Sequence, residues 1–169
     1  MILRQFENHV VALLGQSEVT IQTGASTKDT FIPHTNGMLF GFSRACETVI
    51  TSLSSLSMGV MFVTGGTAPQ KESVWIDGNV VSGISTTVTK ETATDDNGVP
   101  YTSATYSITN NNASAITIDE VCWLTLIYKT QYGNSPYIAD RTRLASPITI
   151  EPGGIGQVTY TVKVSWPTA

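Results

Sequence analysis

The chain has 169 residues and a mass of 18.1 kDa, with 9 Lys and Arg against 13 Asp and Glu, a net charge of −4 and only 13% charged residues. That charge content is about half the ~25% of an ordinary soluble domain, and Ser, Thr and Asn fill the gap. With a pI near 5.0 and cations scattered from Arg4 to Lys163, the chain lacks the basic footprint that neutralises phosphates, so nucleic acid is not an expected partner. No apolar run approaches the ~18 to 20 residues of a membrane-spanning helix, and none is expected to meet a bilayer.

Residues 1–15 place Ile2, Leu3, Phe6, Val10, Leu13 and Leu14 on one helical face, and Gly15 follows as a stop, so the spacing predicts a short N-terminal helix or arm. Glu7, Asn8 and His9 interrupt the apolar run where a secretory signal needs continuity. From residue 16 onward the pattern is strand and turn, consistent with a single domain over 16–169. Glu18 to Thr23 alternates, Met38 to Ala45 carries Leu39, Phe40 and Phe42, and Thr48 to Ser57 reads as either a short strand or a polar loop. Met58 to Thr64 is nearly continuous in apolar residues, as a strand covered on both faces is. Gly65 to Pro69 breaks it, Val80 to Thr92 reads as a strand, and Asp95-Asp96-Asn97-Gly98 is hairpin-turn chemistry.

Beyond this turn the alternation is regular. Tyr101 to Asn110 places Thr102, Ala104, Tyr106 and Ile108 on one face, three asparagines turn, and Ala115 to Tyr128 follows with a phase slip at Asp119-Glu120 that predicts a bulge. Gly133 to Pro136 reads as a turn before a strand Tyr137 to Leu144, Pro147 opens a further strand to Ile150, and Val158 to Val164 closes the chain. Eight to ten short strands without strand–helix alternation predict an all-β fold, an antiparallel β-sandwich of jelly-roll type.

Candidate chemistry is sparse. Gly41-Phe42-Ser43-Arg44-Ala45 has the outline of a nucleophile elbow, but both histidines, His9 and His34, precede it, and a glycine-kinked strand explains it as well. Gly65 to Lys71 lacks the ending of a phosphate loop, and Asp95 to Gly98 lacks the distal glutamate of an EF-hand. Asp119 and Glu120, being adjacent, face opposite ways on a strand and do not make a hydrolase pair. Asn112-Ala113-Ser114 is a glycosylation sequon that also suits a turn. Cys46 and Cys122 have no metal-ligand spacing and read as buried small hydrophobes, with a disulfide between them the other possibility. No enzyme, cofactor or metal is expected. Trp123, Tyr106 and Tyr160 sit at core-like positions, whereas Tyr132, Tyr137 and Trp166 lie by a loop or the terminus and are candidates for a partner surface.

Three stretches carry a family likeness. Val63 to Pro69 places a Gly-Thr-Ala-Pro turn after an apolar strand; Asn110 to Val121 turns into I-T-I-x-E-V; Arg141 to Ile150 reads R-x-x-L-x-x-P-I-T-I and leads to the V-T-Y-T of residues 158–161. This layout, over about two-thirds of the chain, resembles small structural proteins of tailed bacteriophages. The resemblance implies a virion component assembled in the host cytoplasm, homo-oligomeric and bound to other capsid or tail proteins. An accessory head subunit for decoration or stabilisation is the first expectation, and a collar or tail position the second. In such a subunit Ile2, Leu3 and Phe6 would join Tyr132, Tyr137 and Trp166 as interface candidates. A carbohydrate-binding tail-fibre module using the three aromatics is a further alternative.

Overall fold

The computed structural model describes residues 19–22, 28–31, 46–53, 58–70, 75–129 and 133–163. Ten strands lie among them: β1 Val19–Gln22, β2 Lys28–Phe31, β3 Val49–Ile50, β4 Gly59–Thr64, β5 Asn79–Val80, β6 Ile84–Thr94, β7 Pro100–Asn110, β8 Ile116–Lys129, β9 Gly133–Ile150 and β10 Ile155–Lys163. No helix longer than a single turn occurs among the described residues, and the all-β expectation holds. The proposed N-terminal helix over 1–15 and the strand Met38 to Ala45 lie outside the described residues.

Two mostly antiparallel sheets carry the structure, beside the small β1–β2 pair. One has three strands in the order β10-β7-β6; the other has β3-β4-β8-β9, with β5 also on β4. Among the described strands only β3 runs parallel to its neighbour, Val49 and Ile50 lying against Val60 and Met61. Alternation explains how the sheets meet. On β4, Val60 and Phe62 face one way, and on β8 Val121 and Trp123 do the same. They share a core with Ala104, Tyr106, Ile108, Val158 and Tyr160 from the three-stranded sheet. The ring edge of one of Phe62 and Tyr106 meets the face of the other, centroids 5.2 Å apart at 83°.

The opposite face of the larger sheet is buried too. Met61, Val63, Cys122, Leu124 and Ile138 form a second cluster with Ile50 and Ile76, and this double cover is the reason β4 is apolar without alternation. Cys46 belongs to the first cluster and Cys122 to the second, so the two thiols are buried and not joined to each other.

Several strand boundaries differ from expectation. The predicted strand Val80 to Thr92 is two strands in different sheets, β5 and β6, separated at Gly83, whose φ of +66° turns the chain. Gly133 to Pro136 is not a turn but the start of β9, paired with Leu126 to Lys129 of β8. Pro147 does not begin a new strand. It lies in the same 18-residue β9, inside an irregularity where the register passes from Glu120↔Arg143 to Ile118↔Ile148, so the ladder there asks no N–H of it. The bulge expected at Asp119-Glu120 is this same irregularity seen from β8.

Candidate functional site

Three polar arrangements stand out against an otherwise apolar or hydroxyl-rich structure. The first is buried on the outer face of the larger sheet. Arg141 and Glu120 occupy neighbouring strands on the same face, and Arg141 Nε and Nη2 donate to Glu120 Oε1 and Oε2 at 2.5 and 3.0 Å. Nη1 continues to Trp75 O at 2.8 Å and Nη2 to Asp77 Oδ1 at 3.1 Å. Arg143, two residues on and therefore on the same face, donates to Gly66 O at 3.0 Å, while Asp119 accepts from Gly65 N at 2.5 Å.

These side chains thus hold the segments 65–70 and 75–78 against the sheet. Within that segment Asp77 accepts from Thr67 N at 3.0 Å and from the Thr67 hydroxyl, and these bonds, with Arg141 beside them, lower its carboxyl to about 2. Cys122 donates to Glu120 Oε1 at 3.1 Å, and burial together with the Glu120 charge pushes its thiol well above the ordinary range. Both Glu120 oxygens are occupied by Arg141 and one also by Cys122, so the cluster ties the sheet to the segments that Arg141 reaches.

The second arrangement spans the shared core. Tyr160 on β10 donates to Asp140 Oδ2 on β9, and the Thr142 hydroxyl donates to the same oxygen at 2.8 Å. Tyr106 donates to Cys46 O at 3.0 Å. Burial, and after it the Asp140 charge, holds the Tyr160 phenol far above its usual range; burial does the same for Tyr106 and Tyr137.

The third is an asparagine corner where the chain passes from β7 to β8 and so from one sheet to the other. Asn110 is fully buried; its Nδ2 donates to Ser114 O and Ile150 O, both at 2.9 Å, and its Oδ1 accepts from Asn112 N at 2.9 Å. Asn112 Nδ2 reaches Ser82 O, Gly83 O and Asn110 Oδ1 at 3.0 to 3.2 Å. A glycan on Asn112 would break these bonds, which favours the turn reading of its sequon. Beside the corner an open groove of about 590 Å³ is lined by Thr64, Val80 to Ser82 and Asn112 to Thr117.

Outside these anchors the three-stranded sheet presents hydroxyls. Its outer face carries the rows Thr87-Ser107-Gln157 and Thr89-Thr105-Thr159, with Thr105 and Thr159 hydroxyls 2.9 Å apart. Strand β6 is at the end of this sheet, and its open side has no strand beside it among the described residues.

The sequence-predicted surface residues fare unevenly. Tyr137 is not a surface residue: it has 0% exposure and lies in the shared core, because its position opposite Thr125 on β8 turns it toward the other sheet. Ile2, Leu3, Phe6, Tyr132 and Trp166 lie outside the described residues, as do Ser43, His9 and His34. Among the described residues no group of three or more His, Cys, Asp or Glu is placed to hold a metal ion, and no helix is long and apolar enough to cross a membrane. The Arg141–Glu120 anchor was missed by the sequence reading, because only the β8–β9 register brings the two residues together.

In comparisons with known proteins, no family model, no curated protein and no solved structure matches the chain.

Proposed function

We propose that the chain is a non-enzymatic structural protein that works by assembly, a β-sandwich subunit of jelly-roll type in a tailed-phage particle. An accessory position on the head, decorating or stabilising the shell, is the first assignment, and a collar or tail position the second. The observation that carries this reading is the division of labour among polar groups. The buried charges and phenols are used inside the chain, as anchors for segments and sheets, whereas the outer face of the three-stranded sheet shows mostly Ser, Thr and Gln, with Glu91 and the exposed Ile155, beside an edge strand that has no neighbour among the described residues.

Such a surface suits repeated contacts. Short hydroxyl side chains lose little rotamer freedom when covered and bring no charge to be desolvated, both of which lower the cost of association. The two packed sheets sharing one core support the sandwich assignment. Burial of Tyr137 removes one of three aromatics from a glycan platform, so the carbohydrate-binding alternative has less support.

Co-sedimentation tests the reading. The chain should travel with intact particles when a phage lysate is banded on a density gradient; recovery wholly among soluble proteins would overturn it.

A further inference from the structure

Edge strands are ordinarily blunted by shortness, bulges, proline or lysines, because their unpaired amides and carbonyls invite another strand. Among the described residues β6 carries one such device, Lys90, an inner-face lysine held by Glu47. The strand is 11 residues long, contains no proline, and pairs with β7 without a register break from Ile84↔Asn110 to Thr94↔Pro100. Its two charges are already engaged within the chain: Lys90 Nζ lies 2.5 Å from Glu47 Oε1, and Glu91 accepts from the Tyr101 hydroxyl at 3.2 Å. The strand itself is electrically neutral.

We propose that β6 pairs antiparallel with β6 of a second copy of this chain about a two-fold axis at Thr89, joining two three-stranded sheets into one of six. This rests on the assembly reading and names its first partner. A two-fold perpendicular to the sheet keeps inner and outer faces in place, so opposing residues must belong to the same face. Centring on Thr89 meets that condition and uses the whole strand, Ile84 lying opposite the partner's Thr94. On the outer face Thr89 meets the partner's Thr89 and Thr87 meets the partner's Glu91. On the inner face Thr86 meets the partner's Thr92, and Val88, half-buried against the core, meets the stem of the partner's Lys90.

No like charges stand directly opposite in this register. Centring one residue further, on Lys90, would oppose two ammonium groups, and centring on Glu91 two carboxylates, both destabilising. Strand self-complementarity therefore favours a second copy over an unrelated strand. The paired ladder would supply roughly ten new backbone hydrogen bonds.

Light scattering on the full chain and two single variants tests this. At the highest soluble concentration the wild type should have twice the 18.1 kDa mass of one chain. Thr89→Lys, which places two ammonium groups on the axis from an exposed position, should restore the single mass with an unchanged far-ultraviolet circular dichroism spectrum. Thr159→Lys, on the same outer face but on β10 at the other edge, should leave the dimer intact. Thr89→Cys should form an intermolecular disulfide on mild oxidation, since opposed residues on paired strands have Cα separations of about 4.5 to 5.5 Å, within disulfide range.

A wild-type chain that stays single while Thr89→Cys fails to cross-link would overturn the pairing. So would a dimer that survives Thr89→Lys, or one lost equally in Thr159→Lys. None of these results removes the chain from the particle, which co-sedimentation reads separately.

Discussion

Tyr160 on β10 donates its hydroxyl to the Asp140 carboxylate on β9, a hydrogen bond that crosses the core shared by the two sheets. Asp140 is only 2% exposed and Tyr160 only 6%, so water does not readily replace either partner. Tyr160→Phe keeps the ring and removes the donor from a buried carboxylate. It should cost about 1 to 3 kcal/mol, read from the urea midpoint at unchanged slope. A change within a few tenths would show that the bond contributes nothing net.

Alkaline pH should unfold the chain through its tyrosines. Tyr106, Tyr137 and Tyr160 are all held above the ordinary value near 10, chiefly by burial. A raised folded value means the unfolded chain releases its protons first, so the stability is fully present below about pH 10 and is lost as pH rises beyond it. Each buried phenol should remove about 1.4 kcal/mol per pH unit above that point. Tyrosinate absorbance during base titration should rise together with loss of the far-ultraviolet signal. Ionisation of all six tyrosines near pH 10 while the far-ultraviolet signal persists would contradict the burial of these three.

The Arg141–Glu120 anchor should be costly to halve and cheap to remove whole. Arg141→Met leaves a buried carboxylate and frees the carbonyls of Trp75 and Thr67, with a predicted loss of about 3 to 5 kcal/mol. Adding Glu120→Leu should recover much of that loss, because neither charge then remains in the interior. Equal instability of the single and double variants would point instead to packing of the arginine stem.

Two glycines with nearly the same backbone separate conformation from contact. Gly66 and Gly98 have φ of +83° and +76°. A Cβ on Gly98 meets nothing within 4 Å, whereas one on Gly66 would lie 2.6 Å from Asp77 Oδ1 and 2.8 Å from Gly78 N. Gly98→Ala should cost about 1 kcal/mol, the ordinary penalty of a left-handed residue. Gly66→Ala should cost clearly more in the same denaturation series, because it also pushes Asp77 out of reach of Arg141.

Much of the three-stranded sheet was legible because its strands are one-sided. Ala104, Tyr106 and Ile108 alternate with Ser and Thr and are the buried apolar positions of β7. The Asp95 turn was equally plain: its carboxylate accepts from Asn97 N and Val99 N, local bonds that depend on residue type alone. The larger sheet was harder. Pro136 and Pro147 punctuate the sequence as turns do, yet both lie within β9, which ends the sheet order. Tyr137 beside Pro136 therefore looked like a loop residue, and its burial follows from the β8–β9 register. That register shifts at two irregularities, so no local pattern reveals that Arg141 faces Glu120 twenty-one residues earlier.

Quantitative mass spectrometry of gradient-purified phage particles tests the assembly role most directly. The account predicts multiple copies of the chain per particle, in a fixed ratio to a major head or tail protein. Particles that lack the chain, or carry it only in traces that washing removes, would contradict it.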